Sequence, residues 1–191
     1  CMYNTVRNNV SYDNKLHGIM LHELSDFNII EGNTITGNTS GIALYNSGNN
    51  IIQDNVIKDN RHGVRANAES ENNLVQNNKI TGSELYGIYF YDKANNNTVT
   101  DNIFEYNDVG IYVRSDSNNI SKNTLVNNAV GVYFQDQASS NQLTDNQIKQ
   151  SSVYGIYTKV ANQVSNVLGV NDLFRNRKDI AGMAEEQEND E

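Results

Sequence analysis

The sequence predicts an all-β fold: a right-handed parallel β-helix of about eight rungs, with three short strands in each rung. Three observations predict it. The pattern N-x-h-x-x-N-x-h-x-x-[N/S], with h apolar, opens at Asn4, Asn28, Asn50, Asn73, Asn97, Asn118, Asn141 and Asn166, at spacings of 21 to 25 residues. A Gly-[Ile/Val] pair follows the middle asparagine of a rung, at Gly18, Gly41, Gly63, Gly87, Gly110, Gly131 and Gly155. Within each rung apolar and polar residues alternate, as a strand buried on one face requires. A period of ~22 residues holding three such segments is that of a stacked solenoid. A leucine-rich repeat shares the period, but its leucine pattern is absent here.

Stacking the rungs aligns four inward columns. The first runs Val6, Ile30, Ile52, Val75, Val99, Ile120, Leu143, Leu168. The second is Ile35, Ile57, Ile80, Phe104, Leu125, Ile148, Leu173, with Ser11 as a weak first member. The third is Ile19, Ile42, Val64, Ile88, Ile111, Val132, Ile156, and the fourth Leu21, Leu44, Ala66, Phe90, Val113, Phe134, Thr158. The same stacking explains 34 asparagines in a chain without proline. Asparagine tolerates the left-handed conformation of sharp turns, and stacked amides can bond from rung to rung. Most asparagine is therefore scaffold.

The chain is 37% hydrophobic, with a mean hydropathy of −0.63, yet recurring Ile, Val and Tyr set it apart from disordered compositions. The net charge is −9, and five acids lie in the last seven residues. Residues 184–191 read as an acidic, disordered tail and residues 1–183 as the β-helix. No basic face suggests nucleic acid. The single cysteine, Cys1, excludes an intrachain disulfide and a cysteine-based metal site. No apolar run approaches the ~20 residues of a transmembrane helix. Open sheet edges need caps. Arg175 to Met183 is expected to supply a poor one. Cys1 to Arg7 already lies inside the repeat, so further rungs or a partner are expected to precede it.

The strand after each glycine carries the most unusual surface. Its outward positions form two columns, Met20, Ala43, Arg65, Tyr89, Tyr112, Tyr133, Tyr157 and His22, Tyr45, Asn67, Tyr91, Arg114, Gln135, Lys159, which hold six of the eleven tyrosines. Two readings fit. Aromatic ladders stabilise sheets. Alternatively the strip is a groove for an extended, anionic glycan, with Tyr45, Arg65, Tyr89, Tyr91, Tyr112 and Arg114 as binding residues, phenols stacking on sugars and guanidinium groups taking carboxylates.

Three segments then point to a family. Asn9 to Gly18 (NVSYDNKLHG), Gly41 to Asn50 (GIALYNSGNN) and Asn60 to Arg65 (NRHGVR) resemble successive rungs of mannuronan (alginate) C-5-epimerases, above all the periplasmic bacterial type. These belong to a wider group of carbohydrate-active β-helices that includes NosD-like proteins. The resemblance implies a polyuronate substrate, an extracellular or periplasmic location, and a reaction in which a cation masks the carboxylate while a base removes the C5 proton and an acid returns one to the other face. The family's Asp-Pro-His-Asp signature cannot occur in a chain without proline, and in family order it precedes the rung that holds SYDNKLHG. The catalytic candidates within the chain are His62, Arg65 and Tyr89. His62 and His17 read otherwise as exposed turn residues, and His22 as outward on its strand.

No HExxH, nucleophile elbow, P-loop or GGxGxD repeat is present. No cofactor is expected, and no motif indicates a calcium ion. Two other functional classes stay open. One is a β-helix hydrolase or lyase: Asp92 and Asp136 fall at equivalent strand ends two rungs apart, ~9.6 Å, at the upper edge of inverting-hydrolase spacing. The other is a non-catalytic structural or glycan-binding module.

Overall fold

A computed structural model describes residues 1–136, 138–159 and 166–182. The chain winds into a parallel β-helix whose three sheets each contain eight strands. The first and second sheets are built from strands of two or three residues, such as Leu74–Gln76 and Lys79–Thr81. The third has longer strands, such as His62–Asn67 and Tyr86–Tyr91. Every pairing is parallel and joins a rung to the next one. No helix occurs among the described residues, and no helix is long and apolar enough to cross a membrane.

The four inward columns stack as the repeat predicts: Val75 aligns with Ile52 and Val99, Ile80 with Ile57 and Phe104, Ile88 with Val64 and Ile111, and Phe90 with Ala66 and Val113. They merge into one continuous core. Phe90, Phe104 and Phe134 are its largest fully buried side chains. Each rung closes its apolar face only against its neighbours, so the core is as long as the stack.

Three asparagine ladders hold the corners. In the middle ladder the Asn55 backbone N–H and side-chain Nδ2 both donate to Oδ1 of Asn78, at 3.0 and 2.9 Å, and Nδ2 also donates to the Ile30 carbonyl at 2.9 Å. Asn78 repeats this on Asn102, and Asn102 on Asn123. The amides are buried and fully used, which removes the cost of desolvating them. One expectation needs correction. The ladder asparagines do not occupy the left-handed turn positions; the residue before most of them does, as at Asn8, Asp54, Asn77 and Asp101. The amide must face inward to reach the next rung, so the sharp bend falls one residue earlier.

The expected C-terminal cap is also corrected. Arg175 takes the left-handed turn position, Asn176 continues the third ladder under Ser151, and Ile180–Ala181 adds an eighth strand to the third sheet. The repeat pattern runs on through Asn166, Asn171 and Asn176, and the chain completes a rung there. Met183 and the acidic tail lie outside the described residues.

Candidate functional site

The outward strip of the third sheet follows from the register. Met20, Ala43, Arg65, Tyr89, Tyr112, Tyr133 and Tyr157 align on successive strands. Beside them His22 pairs with Tyr45 and Tyr45 with Asn67, and Tyr91 pairs with Arg114. The strand begins earlier than the sequence suggests. A third outward column, His17, Ser40, His62, Tyr86, Val109, Val130, Tyr154, precedes the glycines. A Cβ on Gly63 would lie 2.6 Å from Cγ2 of Ile80 and 2.5 Å from the Gly87 carbonyl oxygen. Only a hydrogen fits there, so the chain turns its glycine into the corner and leaves residues 62 and 65 both facing outward.

His62 and His17 are therefore strand residues, not exposed turns. His62 is 7% exposed, with its ring 5.4 Å from that of Tyr86 and 5.5 Å from that of Tyr89. Burial, and then the charges of Arg61 and Arg65, lower its pKa to about 4. It is neutral at pH 7. His17 is shifted the same way by burial and by Arg65. Both shifts are those expected of a desolvated imidazole beside guanidinium groups.

Among the proposed binding residues, Tyr45 is exposed and lies flat against His22, with centroids 4.9 Å apart. Arg65 is half-buried, its Cζ 5.9 Å from the Tyr91 ring, and Tyr89 stacks on Tyr91 at 4.3 Å. Arg114 is exposed. Tyr112 differs: it is 9% exposed, packed on Tyr86 at 4.4 Å and Tyr133 at 4.8 Å, and its hydroxyl donates to Gln135. It belongs to the aromatic ladder and offers little free surface. Burial raises the pKa of Tyr86, Tyr89, Tyr112 and Tyr133, so all four remain protonated donors. At the edge of the strip Tyr91, Asp92, Lys93, Arg114 and Asp116 line a cleft of about 330 Å³. The other end of the Asp92–Asp136 pair sits near Lys159, 3.9 Å from its Nζ. In the first seven rungs no Asp or Glu stands in any of the three outward columns, although the chain has 23 acids.

The family model of the periplasmic copper-binding protein (NosD) matches residues 1–86 and 68–190. The chain belongs to the NosD family. A mannuronan C5-epimerase of Pseudomonas putida is 40% identical to it over 96 residues, 49% of this chain and 18% of that protein. The NosD-family chain thus spans under a fifth of that relative's length. Two epimerase structures share its fold. The A-module of AlgE4, a mannuronan C-5 epimerase of Azotobacter vinelandii, has a TM-score of 0.81 at 18% identity over 93% of this chain and 55% of its own. The periplasmic alginate epimerase AlgG has 0.70 at 20%, over 86% and 47%. An alginate lyase of Paenibacillus has 0.66 at 14%, over 88% and 78%. At these identities the structural matches establish the common solenoid.

The family's description names copper, and among the described residues of this NosD-family chain no cluster is placed to hold it. Among the described residues no three His, Cys, Asp or Glu side chains converge where they could share a metal ion, and Cys1 is exposed. The site residues that sequence reasoning missed are Ser40 and Tyr86 as polar members of the strip, and the true placement of His17 and His62. Their common signal is position: the residue just before each glycine keeps a constant register from rung to rung. Six buried side-chain atoms have no hydrogen-bond partner among the described residues: His17 Nδ1, Ser40 Oγ, His62 Nδ1, Arg65 Nε, Asn67 Oδ1 and Ser151 Oγ. All but the last lie on the first three strands of the strip.

Proposed function

We propose that this chain binds an anionic polysaccharide, a polyuronate, along the outward face of the third sheet, as the substrate-binding rungs of a protein resembling mannuronan C-5-epimerases. One observation carries the reading: a chain of net charge −9 keeps every carboxylate out of this strip while placing Arg65, Arg114 and Lys159 among tyrosines. A repeating strip of phenols and cations suits a repeating acid. Guanidinium can hold a carboxylate by two parallel hydrogen bonds, and tyrosine faces pack on sugar C–H surfaces. The relatives support the substrate class, since epimerases and a lyase that act on alginate share the solenoid. The family description and the epimerase AlgG support a periplasmic or extracellular location.

The chemistry of the reaction fits the residues present. The C5 proton of a uronate is barely acidic until the neighbouring carboxylate is masked. Arg65 supplies the masking charge, neutral His62 an acceptor, and Tyr89 a protonated donor, so these three are the catalytic candidates. The reading invokes no cofactor. The missing Asp-Pro-His-Asp signature favours a second reading, a glycan-binding module without turnover, which would use the same strip. A hydrolase built on Asp92 and Asp136 is less well supported, because each lies near a lysine, Lys93 and Lys159, at the edge of the strip.

Titration calorimetry with tetramannuronate tests the reading. Arg65→Ala should weaken binding by ~1–3 kcal/mol, the range for a hydrogen bond to a charged group, and leave a neutral tetramannoside unaffected. The melting temperature should hold, because the side chain points away from the core. Equal binding by wild type and variant, or none by either, would leave the tyrosine strip as a stabilising ladder only.

A further inference from the structure

The aromatic rungs dominate the strip to the eye, but its unspent hydrogen-bonding capacity lies elsewhere. Five of the six unpartnered buried polar atoms among the described residues belong to His17, Ser40, His62, Arg65 and Asn67. His17, Ser40 and His62 stand side by side in register on consecutive strands. Adjacent strands lie ~4.8 Å apart, so the column spans about the length of one pyranose ring with its substituents. Arg65 and Asn67 extend the same group outward along the strand of His62. Ser40 is 0% exposed, and His62 and Asn67 are each 7% exposed. Native proteins rarely leave such groups unpaired, and where they cluster they mark a site.

We propose that the His17–Ser40–His62 column, with Arg65 and Asn67, is a buried subsite that seats one uronic acid unit of the polysaccharide. The inference rests on the polyuronate reading and adds the place where a single sugar is held most closely. The chemistry of the five atoms selects the ligand. Arg65 Nε can only donate, and the Asn67 carbonyl oxygen can only accept. The hydroxyl of Ser40 does both, and each imidazole Nδ1 does one or the other according to its tautomer. A bare sulfate, acceptor-only, would leave Asn67 unsatisfied. A neutral sugar would leave the guanidinium without its counter-charge. A unit carrying both hydroxyls and a carboxylate satisfies all five. The flanking charges agree, for Arg61 and Arg65 both act on His62 and no carboxylate faces it from the neighbouring strands. Ala43, outward yet 2% exposed, lies between Met20 and Arg65 in its column. Ala43 thus gives the subsite a floor without bulk between them.

The test compares tetramannuronate binding to the wild-type chain, to His62→Phe, to Ser40→Ala and to Arg114→Ala, two rungs from His62 and outside the subsite. His62→Phe keeps an aromatic ring between Tyr86 and Tyr89, and Ser40→Ala removes only a hydroxyl, so the rungs should stay folded by thermal melt. We expect at least a tenfold loss of affinity for His62→Phe and a several-fold loss for Ser40→Ala. In long-range ¹H–¹⁵N spectra the His62 ring nitrogens should shift on adding tetramannuronate and stay put with tetramannoside. If Arg114→Ala weakens binding while both subsite variants bind like wild type, the subsite is wrong and the strip reading survives. If the wild type binds no oligouronate, the strip reading falls and the subsite with it. Equal shifts with inorganic sulfate would overturn the assignment to a uronic acid.

Discussion

At the scale of single residues, two kinds of side chain carry opposite roles. The ladder asparagines are satisfied and structural. Oδ1 of Asn102 accepts from both the backbone N–H and Nδ2 of Asn78, and its own Nδ2 reaches Val75, Thr100 and Asn123. Asn102→Ala strands the buried backbone N–H of Asn78, at ~1–3 kcal/mol, while Asn78 Nδ2 keeps the Ile52 and Gln76 carbonyls; it also removes the side-chain bonds to Val75 and Asn123. Urea unfolding should show a loss of roughly 2–4 kcal/mol; a change below about half a kcal/mol would mean the ladder is decorative. His62 is the reverse case, buried with its ring Nδ1 unpartnered among the described residues. Its folded pKa of about 4 lies below the ordinary 6.5. The unfolded chain therefore binds the proton first as pH falls. Stability is unaffected above pH 6.5 and declines between 6.5 and 4, by up to roughly 3 kcal/mol for this one group. His62→Phe abolishes that share. Urea melts at pH 7 and pH 4.5 should show a smaller acid loss in the variant than in wild type, and equal losses would contradict the buried, neutral imidazole.

At the scale of the strand, the glycine column decides which side chains face outward. A Cβ on Gly131 would meet the Gly155 carbonyl at 2.4 Å and Cγ2 of Ile148 at 2.5 Å. The obstacle is backbone and core at once, so Gly131→Ala cannot be relieved by a rotamer change. It should cost at least ~1–3 kcal/mol, as overpacking does, and lower the melting temperature measurably. An unchanged melt would show that the rungs can part at the corner. The same steric fact marks the limit of reading the sequence. Period-2 alternation located the four inward columns and the two outward columns after the glycines, because burial on one face enforces it. It broke down at the glycine, where two consecutive residues turn inward. Alternation therefore does not reveal that His17, Ser40, His62 and Tyr86 begin the strand and face outward. Likewise the asparagine repeat revealed the ladders, but not that the left-handed bend falls one residue earlier, on Asp54 or Asp101. At the C-terminus, a repeat that had lost its Gly-[Ile/Val] mark was read as a cap, although Asn176 still closes a rung.

At the scale of the whole molecule, the three sheets divide the work. The first and second present a mixture of polar, charged and aliphatic side chains to solvent, the exposed Val56 and Ile103 among them, and a Gln76–Gln53–Glu31 run of side-chain hydrogen bonds crosses the first. The third collects eight of the eleven tyrosines with Arg65 and Arg114 and excludes carboxylates from its outward columns. A negatively charged chain that keeps one long face free of its own acids leaves that face electrostatically suited to the anionic glycan proposed above. The direct measurement is an amide chemical-shift map on the ¹⁵N-labelled chain during titration with oligomannuronate. Shifts should concentrate on the third-sheet strands from His17–His22 to Val109–Arg114, largest near Arg65, and should vanish with a neutral oligomannoside. Shifts spread over the first or second sheet, or no shifts at all, would contradict the assignment of that face as the polyuronate-binding surface.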